Sequence, residues 1–66
     1  MATRLGMTLK KLRIKARLTQ EELAKKGGVT YAYISMLESG AKKNPSLTLL
    51  KKLAKALKLT VGKLLE

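Results

Sequence analysis

The stretch QEELAKKGGVTYAYISML, running from Gln20 to Leu37, carries the pattern that decides the fold. Ala24 lies four residues before Gly28, and Ile34 stands three residues before Leu37. A glycine can adopt the positive φ that a tight turn requires, and an alanine lets two backbones approach closely. Ile34 and Leu37 share one helical face and can close the joint from the second helix. This spacing predicts two short helices joined by a turn and packed at a steep angle.

Helical signals continue on both sides of this stretch. Apolar residues recur at helical spacing before it and again in the C-terminal third of the chain, and neither region shows strand-like alternation. Thr19 followed by Glu22 has the spacing of a capping box, and Thr30, Ser46 and Thr60 are further candidate N-caps. The predicted helices are Leu5–Ala16, Gln20–Lys26, Tyr31–Glu38, a fourth beginning after Ser46, and a short fifth from Thr60 through Leu65.

Size and charge narrow the range of possible functions. The 66 residues make one domain, residues 1–66, and they contain no cysteine or histidine, which excludes disulfides and Cys/His metal sites. Fifteen Lys and Arg stand against four acids, giving a net charge of +11. Such a basic domain commonly binds a polyanion, although a merely soluble surface is the simpler alternative. No apolar run has the length of a membrane span or of a signal peptide, so a cytoplasmic location without membrane association is expected.

Four segments together carry a family resemblance: LTQEELAKKGGVT, YISMLESG, NPSLTLLKKLAKAL and VGKLL. In order, spacing and loop residues, the chain from Leu5 to Leu65 resembles the Cro and phage-repressor type of helix-turn-helix, also called the xenobiotic-response-element (XRE) family. The resemblance implies an all-α, compact five-helix domain of the lambda-repressor-like DNA-binding class. It further implies that the third helix enters the major groove of double-stranded DNA.

The resemblance assigns the groove-facing positions to Thr30, Tyr31, Ala32, Ser35 and Met36. Hydroxyl groups at 30 and 35 can hydrogen-bond base edges, and the methyl groups of Thr30 and Ala32 can contact a thymine methyl. No Arg, Asn or Gln lies on this face, so we expect moderate direct readout, with much of the affinity from phosphates and DNA shape. The alternative for each residue is an ordinary solvated position, and Met36 could equally border the core.

The resemblance assigns phosphate contacts to a second group of residues. Gln20 matches a glutamine that braces a phosphate and supports the recognition helix, and Lys42, Lys43 and Asn44 lie in the loop after that helix. Arg17, near the end of the first helix, could extend the same strip. Lysines suit contacts that position a protein without reading sequence. Solvated surface charges are the alternative reading.

Arg13 and Glu38 match a pair that the family often uses, an arginine of the first helix bonded to a glutamate that ends the third. We predict a partly buried ion pair that orients the recognition helix and leaves Arg13 near a phosphate. Tyr33 matches a tyrosine that we expect to pack at the helix joint, because its ring is apolar and its tip polar.

The chain departs from the family pattern in three places. Arg17 stands where the family usually has glycine, which predicts strain in that turn. Gly27 replaces a typical leucine or alanine, which predicts lost core volume near the joint. Lys51, Lys52 and Lys55 exceed what DNA contact requires.

Three classes of function remain to be compared. The favoured one is a repressor-like, DNA-binding transcription regulator acting as a homodimer, because two copies can bind half-sites one helical turn apart. The candidate dimer surface is the last helix, with Val61, Leu64 and Leu65. The alternative is that these side chains only close the core, since a small domain needs its leucines inside. Antitoxins and restriction-modification controllers share this family, and the sequence does not separate those roles.

The other two classes are a membrane-surface or nonspecific polyanion binder and an enzyme. A membrane-surface binder would need to expose apolar stripes that the core already requires. An enzyme would need catalytic side chains, but the chain has no His or Cys, and the adjacent acids Glu21 and Glu22 face different directions on a helix. We expect no catalysis, no cofactor and no small-molecule substrate.

Overall fold

Residues 2–66 are the part of the chain that the computed structural model describes, and they form five helices and no strand. The helices are α1 (Arg4–Lys15), α2 (Gln20–Gly27), α3 (Tyr31–Ser39), α4 (Leu47–Ala56) and α5 (Val61–Leu64). The predicted all-α class is therefore confirmed, and the predicted helix ends differ from the observed ones by at most one residue.

Each helix begins after a Ser or Thr whose side-chain oxygen accepts a backbone N–H of the first turn. The capping residues are Thr3, Thr19, Thr30, Ser46 and Thr60. Such a cap satisfies one of the unpaired N–H groups at a helix start and contributes about 1 kcal/mol. Four of the five caps were predicted, and the fifth, Thr3, explains why α1 begins one residue earlier than expected.

The cap of α2 is the reciprocal capping box that the sequence predicts. Glu22 donates its backbone N–H to Thr19 Oγ1 at 3.0 Å, and Thr19 donates its backbone N–H to Glu22 Oε1 at 2.8 Å. The Thr19 backbone N–H, followed by the Thr19 side chain, holds the pKa of Glu22 below its ordinary value. The fold favours the ionised carboxylate, so this contribution is present above the ordinary carboxyl pKa and is lost as the pH falls through the lowered one.

Two glycines end helices in the left-handed conformation, as expected. Gly28 (φ 69°) ends α2 and Gly40 (φ 91°) ends α3. After Gly28, the N–H of Val29 donates to the carbonyl of Ala24 at 2.9 Å, which satisfies a carbonyl in the last turn of α2. The chain therefore reverses direction within the few residues between α2 and α3, and this turn sets the angle of α3.

In the core, α3 packs against α1 and α2, α4 packs against α2 and α5, and α5 also contacts α1. The largest fully buried side chains are Leu9, Leu23, Ile34, Leu37, Leu53 and Leu64. Ala24 is buried between the helices of the turn, and Tyr33 packs against the core as predicted. The two helices of the turn are therefore held by packing against other helices, α2 against α4 and α3 against α1. None of the described helices has the length and apolar character needed to cross a membrane.

The expected loss of core volume at Gly27 is wrong. Gly27 is buried, and a Cβ built there would lie 3.1 Å from Leu53 Cδ2. That separation is tighter than an ordinary van der Waals contact, so Leu53 of α4 already fills the space that a larger residue at position 27 would take. Because Gly27 has no side chain, α4 can pack close to the end of α2.

Strain at Arg17 is confirmed by its positive φ of 61°, and Lys58 adopts a similar φ of 58°. An L-residue in this region costs roughly 1–2 kcal/mol, which glycine avoids.

We therefore expect Arg17→Gly to raise the free energy of unfolding by about 0.5–1 kcal/mol, measured by urea denaturation. Arg17→Ala is the control, since it removes the same charge but keeps the Cβ. An equal gain in both variants would show that charge, and not backbone strain, is responsible.

Candidate nucleic-acid interface

One face of α3 is turned away from the core. Ile34 and Leu37 are 0% and 1% exposed, which orients the opposite side of the helix outward. Thr30, Tyr31 and Ala32 are exposed, whereas Ser35 and Met36 are half-buried. The predicted groove-facing residues therefore share one surface at the start and middle of α3, with Met36 at its border with the core.

The other end of α3 is held by a buried polar network centred on Glu38. Arg13 of α1 donates from Nε to Glu38 Oε2 at 2.7 Å and from Nη2 to Oε1 at 3.1 Å. Gln20 of α2 donates from Nε2 to the same Oε1 at 3.1 Å. Arg13 Nη1 also donates to the carbonyl of Leu18 at 2.7 Å. One carboxylate therefore joins α1, α2 and α3.

The predicted Arg13–Glu38 pair is present and is more deeply buried than expected. The two side chains are 11% and 3% exposed, and residues 2–66 contain no buried side-chain polar atom without a hydrogen-bond partner. Such a pair has directional bonds that hold its partners in register, and its rupture leaves a buried charge. The arrangement favours a positioning role for Arg13, and its direct contact with a phosphate stays a prediction.

Gln20 also acts inside the protein, where its bond to Glu38 supports α3. It is half-buried at the first position of α2, and its amide reaches across to the end of α3. What the sequence could not indicate is that Gln20 and Arg13 share one oxygen of Glu38. A phosphate contact by Gln20 stays a prediction.

The loop that follows α3 is exposed and basic. Lys42, Lys43 and Asn44 are all exposed, while the backbone N–H of Lys42 donates to the carbonyl of Met36 at 3.0 Å. This bond ties the loop to the last turn of α3. Arg17 is also exposed, in the turn before α2. The structure thus places cations both after α3 and before α2. Within residues 2–66, no cluster of acidic side chains is suited to binding a metal ion.

The sequence matches the helix-turn-helix family model over residues 9–64, which is most of the chain. The protein therefore belongs to the helix-turn-helix family, of the Cro and phage-repressor (XRE) type. A comparison with curated proteins found no significant match.

Solved structures of several bacterial regulators are similar. The restriction-modification controller protein C.AhdI from Aeromonas hydrophila is 36% identical, with a TM-score of 0.89 over 92% of this chain and 91% of that one. SinR, the master regulator for biofilm formation, known from Bacillus subtilis and solved in complex with DNA, is 34% identical, with a TM-score of 0.90 over 94% and 98%. The clp gene regulator ClgR from C. glutamicum is 35% identical, with a TM-score of 0.85 over 94% and 79%.

Proposed function

We propose that this protein is a sequence-specific, double-stranded DNA-binding transcription regulator of the repressor-like type. The observation that carries the proposal is the outward face of α3, held at a defined angle by the Gly28 turn at one end and the Glu38 network at the other. A rigidly held helix of this kind can enter a major groove and present its first residues to base edges. The structure of SinR with DNA supports the same use of this fold.

The side chains of that face suit moderate sequence discrimination. The hydroxyl groups of Thr30 and Ser35 can bond base edges, and the Ala32 methyl can meet a thymine methyl. Arg, Asn and Gln, which make bidentate base contacts, are absent from residues 30–37. The proposal therefore assigns much of the affinity to phosphate contacts by Lys42 and Lys43 and to DNA shape.

We propose further that the protein binds as a homodimer in the cytoplasm. A single α3 reads few base pairs, and two copies on adjacent turns of DNA lengthen the recognised site. Leu64 is fully buried and closes the core, so Val61, half-buried, and Leu65, which is 59% exposed, are the remaining apolar candidates for the dimer surface on α5. The proposed role is binding, not catalysis, and it requires neither a cofactor nor a small-molecule substrate.

Control of restriction-modification genes is the second candidate role. The similarity to C.AhdI favours it, and the domain spans most of that chain. This role would use the same α3 face and differ only in the promoter bound. The test compares binding of the purified protein to the promoters of neighbouring restriction-modification genes with its binding to other promoters. Preferential binding to the former would distinguish this role from regulation of other genes.

We expect the double variant Lys42→Glu/Lys43→Glu to weaken binding to every duplex sequence. If each lysine contacts one phosphate, the slope of log K against log salt concentration should become shallower by about 1.8, or about 0.9 per lost contact. Fluorescence anisotropy with a short labelled duplex at several salt concentrations measures both effects. Lys10→Glu/Lys11→Glu on α1 changes the net charge equally and serves as the control. Equal slopes for the two variants would remove the loop from the interface.

Substitutions on α3 should change sequence preference more than overall affinity. Selection of bound sequences from a random duplex pool is expected to yield a two-fold symmetric motif for the natural protein. Tyr31→Ala, Ser35→Ala and Thr30→Ser should each alter that motif, and Thr30→Ser keeps the hydroxyl that caps α3. An asymmetric motif would argue against the homodimer, and an unchanged motif in all three variants would mean that the recognition face is misassigned.

A further inference from the structure

A cleft lined by lysines lies between the last turns of α2 and α4. It has a volume of about 510 Å³, and its lining includes the small residues Gly27, Gly28 and Ala56. Five lysines surround it, namely Lys25, Lys26, Lys52, Lys55 and Lys58. The proposed DNA-reading surface uses none of these residues.

No lysine around the cleft has a carboxylate within salt-bridge distance in the described part of the chain. Within residues 2–66 the ion pairs are Arg13–Glu38 and Lys63–Glu66, and neither involves a cleft lysine. Glu22 interacts electrostatically with Lys26, but its carboxylate accepts the Thr19 N–H at the opposite end of α2. All five lysines are exposed, so the cleft concentrates a positive potential that attracts polyanions.

The cleft lies away from the phosphate contacts of the proposed interface. Gln20 is the first residue of α2, which has 8 residues, and the Lys42–Asn44 loop precedes α4, which has 10. At about 1.5 Å per residue, the far ends of these helices lie roughly 12 Å and 15 Å along their axes from those contacts. A duplex whose backbone rests on Gln20 and the loop therefore leaves at least the α4 side of the cleft open.

The composition of the cleft favours a nucleic-acid backbone over other anions. Sites for small ligands are enclosed and lined mainly by hydrophobic and aromatic side chains, whereas this cleft is open and five of its eight lining residues are lysines. Strong protein interfaces use Trp, Tyr or Arg as anchors, and the lining contains none. Lysines on flexible stems act as point charges that hold phosphates without reading sequence. The small lining residues, Gly27, Gly28 and Ala56, leave room for a backbone to approach.

We propose that this cleft binds the sugar–phosphate backbone of a second DNA duplex. One protein molecule then holds an operator through α3 and a separate DNA segment through the ends of α2 and α4. The second contact is independent of sequence and sensitive to salt, because it consists of phosphate–ammonium contacts.

A two-duplex capture experiment tests this proposal. A short duplex carrying the selected site is immobilised and saturated with protein, and capture of a labelled duplex of unrelated sequence is measured. For Lys52→Gln/Lys55→Gln we expect unchanged affinity for the first duplex and a shallower salt slope of second-duplex capture, by about 1.8 for two lost contacts. Lys10→Gln/Lys11→Gln removes the same charge from α1 and should capture the second duplex as the natural protein does.

Three results would overturn the bridging proposal. The first is a loss of first-duplex affinity in Lys52→Gln/Lys55→Gln that is as large as its loss of second-duplex capture. That result would make the cleft part of the operator interface. The second is equal capture by that variant and the natural protein. The third is displacement of the cleft contact by polyglutamate at a charge concentration where duplex DNA does not compete, which would indicate an acidic protein partner.

Failure of the proposed function would be recognised separately. In the Lys42→Glu/Lys43→Glu background, the immobilised protein should keep a residual affinity for labelled duplex that the added Lys52→Gln/Lys55→Gln substitutions remove. That result supports the cleft even if α3 recognises no operator. Residual affinity that is unaffected by the added substitutions counts against the cleft.

Discussion

Glu38→Ala is expected to lower the free energy of unfolding by about 3–5 kcal/mol, the usual cost of removing one partner of a buried ion pair. The substitution leaves Arg13, whose side chain is 11% exposed, without its carboxylate and takes away the acceptor of Gln20. A domain of this size has a total stability of roughly 3–10 kcal/mol, so most of it would be lost. Urea denaturation followed by far-UV circular dichroism measures the change.

Two further variants show whether burial is the cause. Glu66→Ala removes the carboxylate of an exposed pair, 3.5 Å from Lys63 Nζ, and should change stability by less than about 0.5 kcal/mol. Arg13→Met/Glu38→Leu removes both charges together and should be far less destabilising than Glu38→Ala, because no buried charge is left unpaired. A loss below about half a kcal/mol for Glu38→Ala would contradict the buried network and indicate a surface pair.

Gly6→Ala is expected to destabilise the protein, although the same change in an open helix would stabilise it. Gly6 is buried in α1, where an added Cβ would overlap the carbonyl oxygen of Leu37 and lie 3.0 Å from that of Glu38. Both atoms belong to the α3 backbone and cannot rotate away, so α1 and α3 would have to separate. We expect a loss of at least about 1–3 kcal/mol, the typical cost of overpacking.

The matched control for this prediction is Gly62→Ala in α5. A Cβ there would have Thr60 Oγ1 as its nearest neighbour, at 3.8 Å, which is an ordinary contact. Because alanine favours helix over glycine by up to about 1 kcal/mol, this variant should be as stable as the natural protein or more so. Thermal denaturation of both variants therefore tests whether the change in stability has opposite signs at the two positions. Stabilisation by Gly6→Ala would show that α1 and α3 are not in close backbone contact.

The predictions that succeeded concern interactions between residues close in the chain. The Thr19–Glu22 capping box and the caps at Thr30, Ser46 and Thr60 join groups three residues apart, so the sequence contains both partners at a fixed spacing. The C-terminal glycines belong to the same class, because a left-handed residue is a local backbone requirement.

The predictions that failed or fell short depend on how helices pack. Gly27 predicted missing volume, but Leu53, which fills that space, lies on a different helix. Gly6 carried no signal that it touches α3, and nothing near Lys58 indicated its positive φ. The lysine cleft was visible in sequence only as an excess of charge on α4, because its other wall belongs to α2.

The sequence by itself determined the helices, their ends, the turn between α2 and α3 and, through its resemblance, the pairing of Arg13 with Glu38. The tertiary structure decided that Gln20 joins this pair, that Gly6 lies against the α3 backbone, and that lysines from two helices surround one cleft. The physical reason is distance along the chain. Caps and turns arise between neighbours, whereas partners 18 and 25 residues apart meet only after the core has set the positions of the helices.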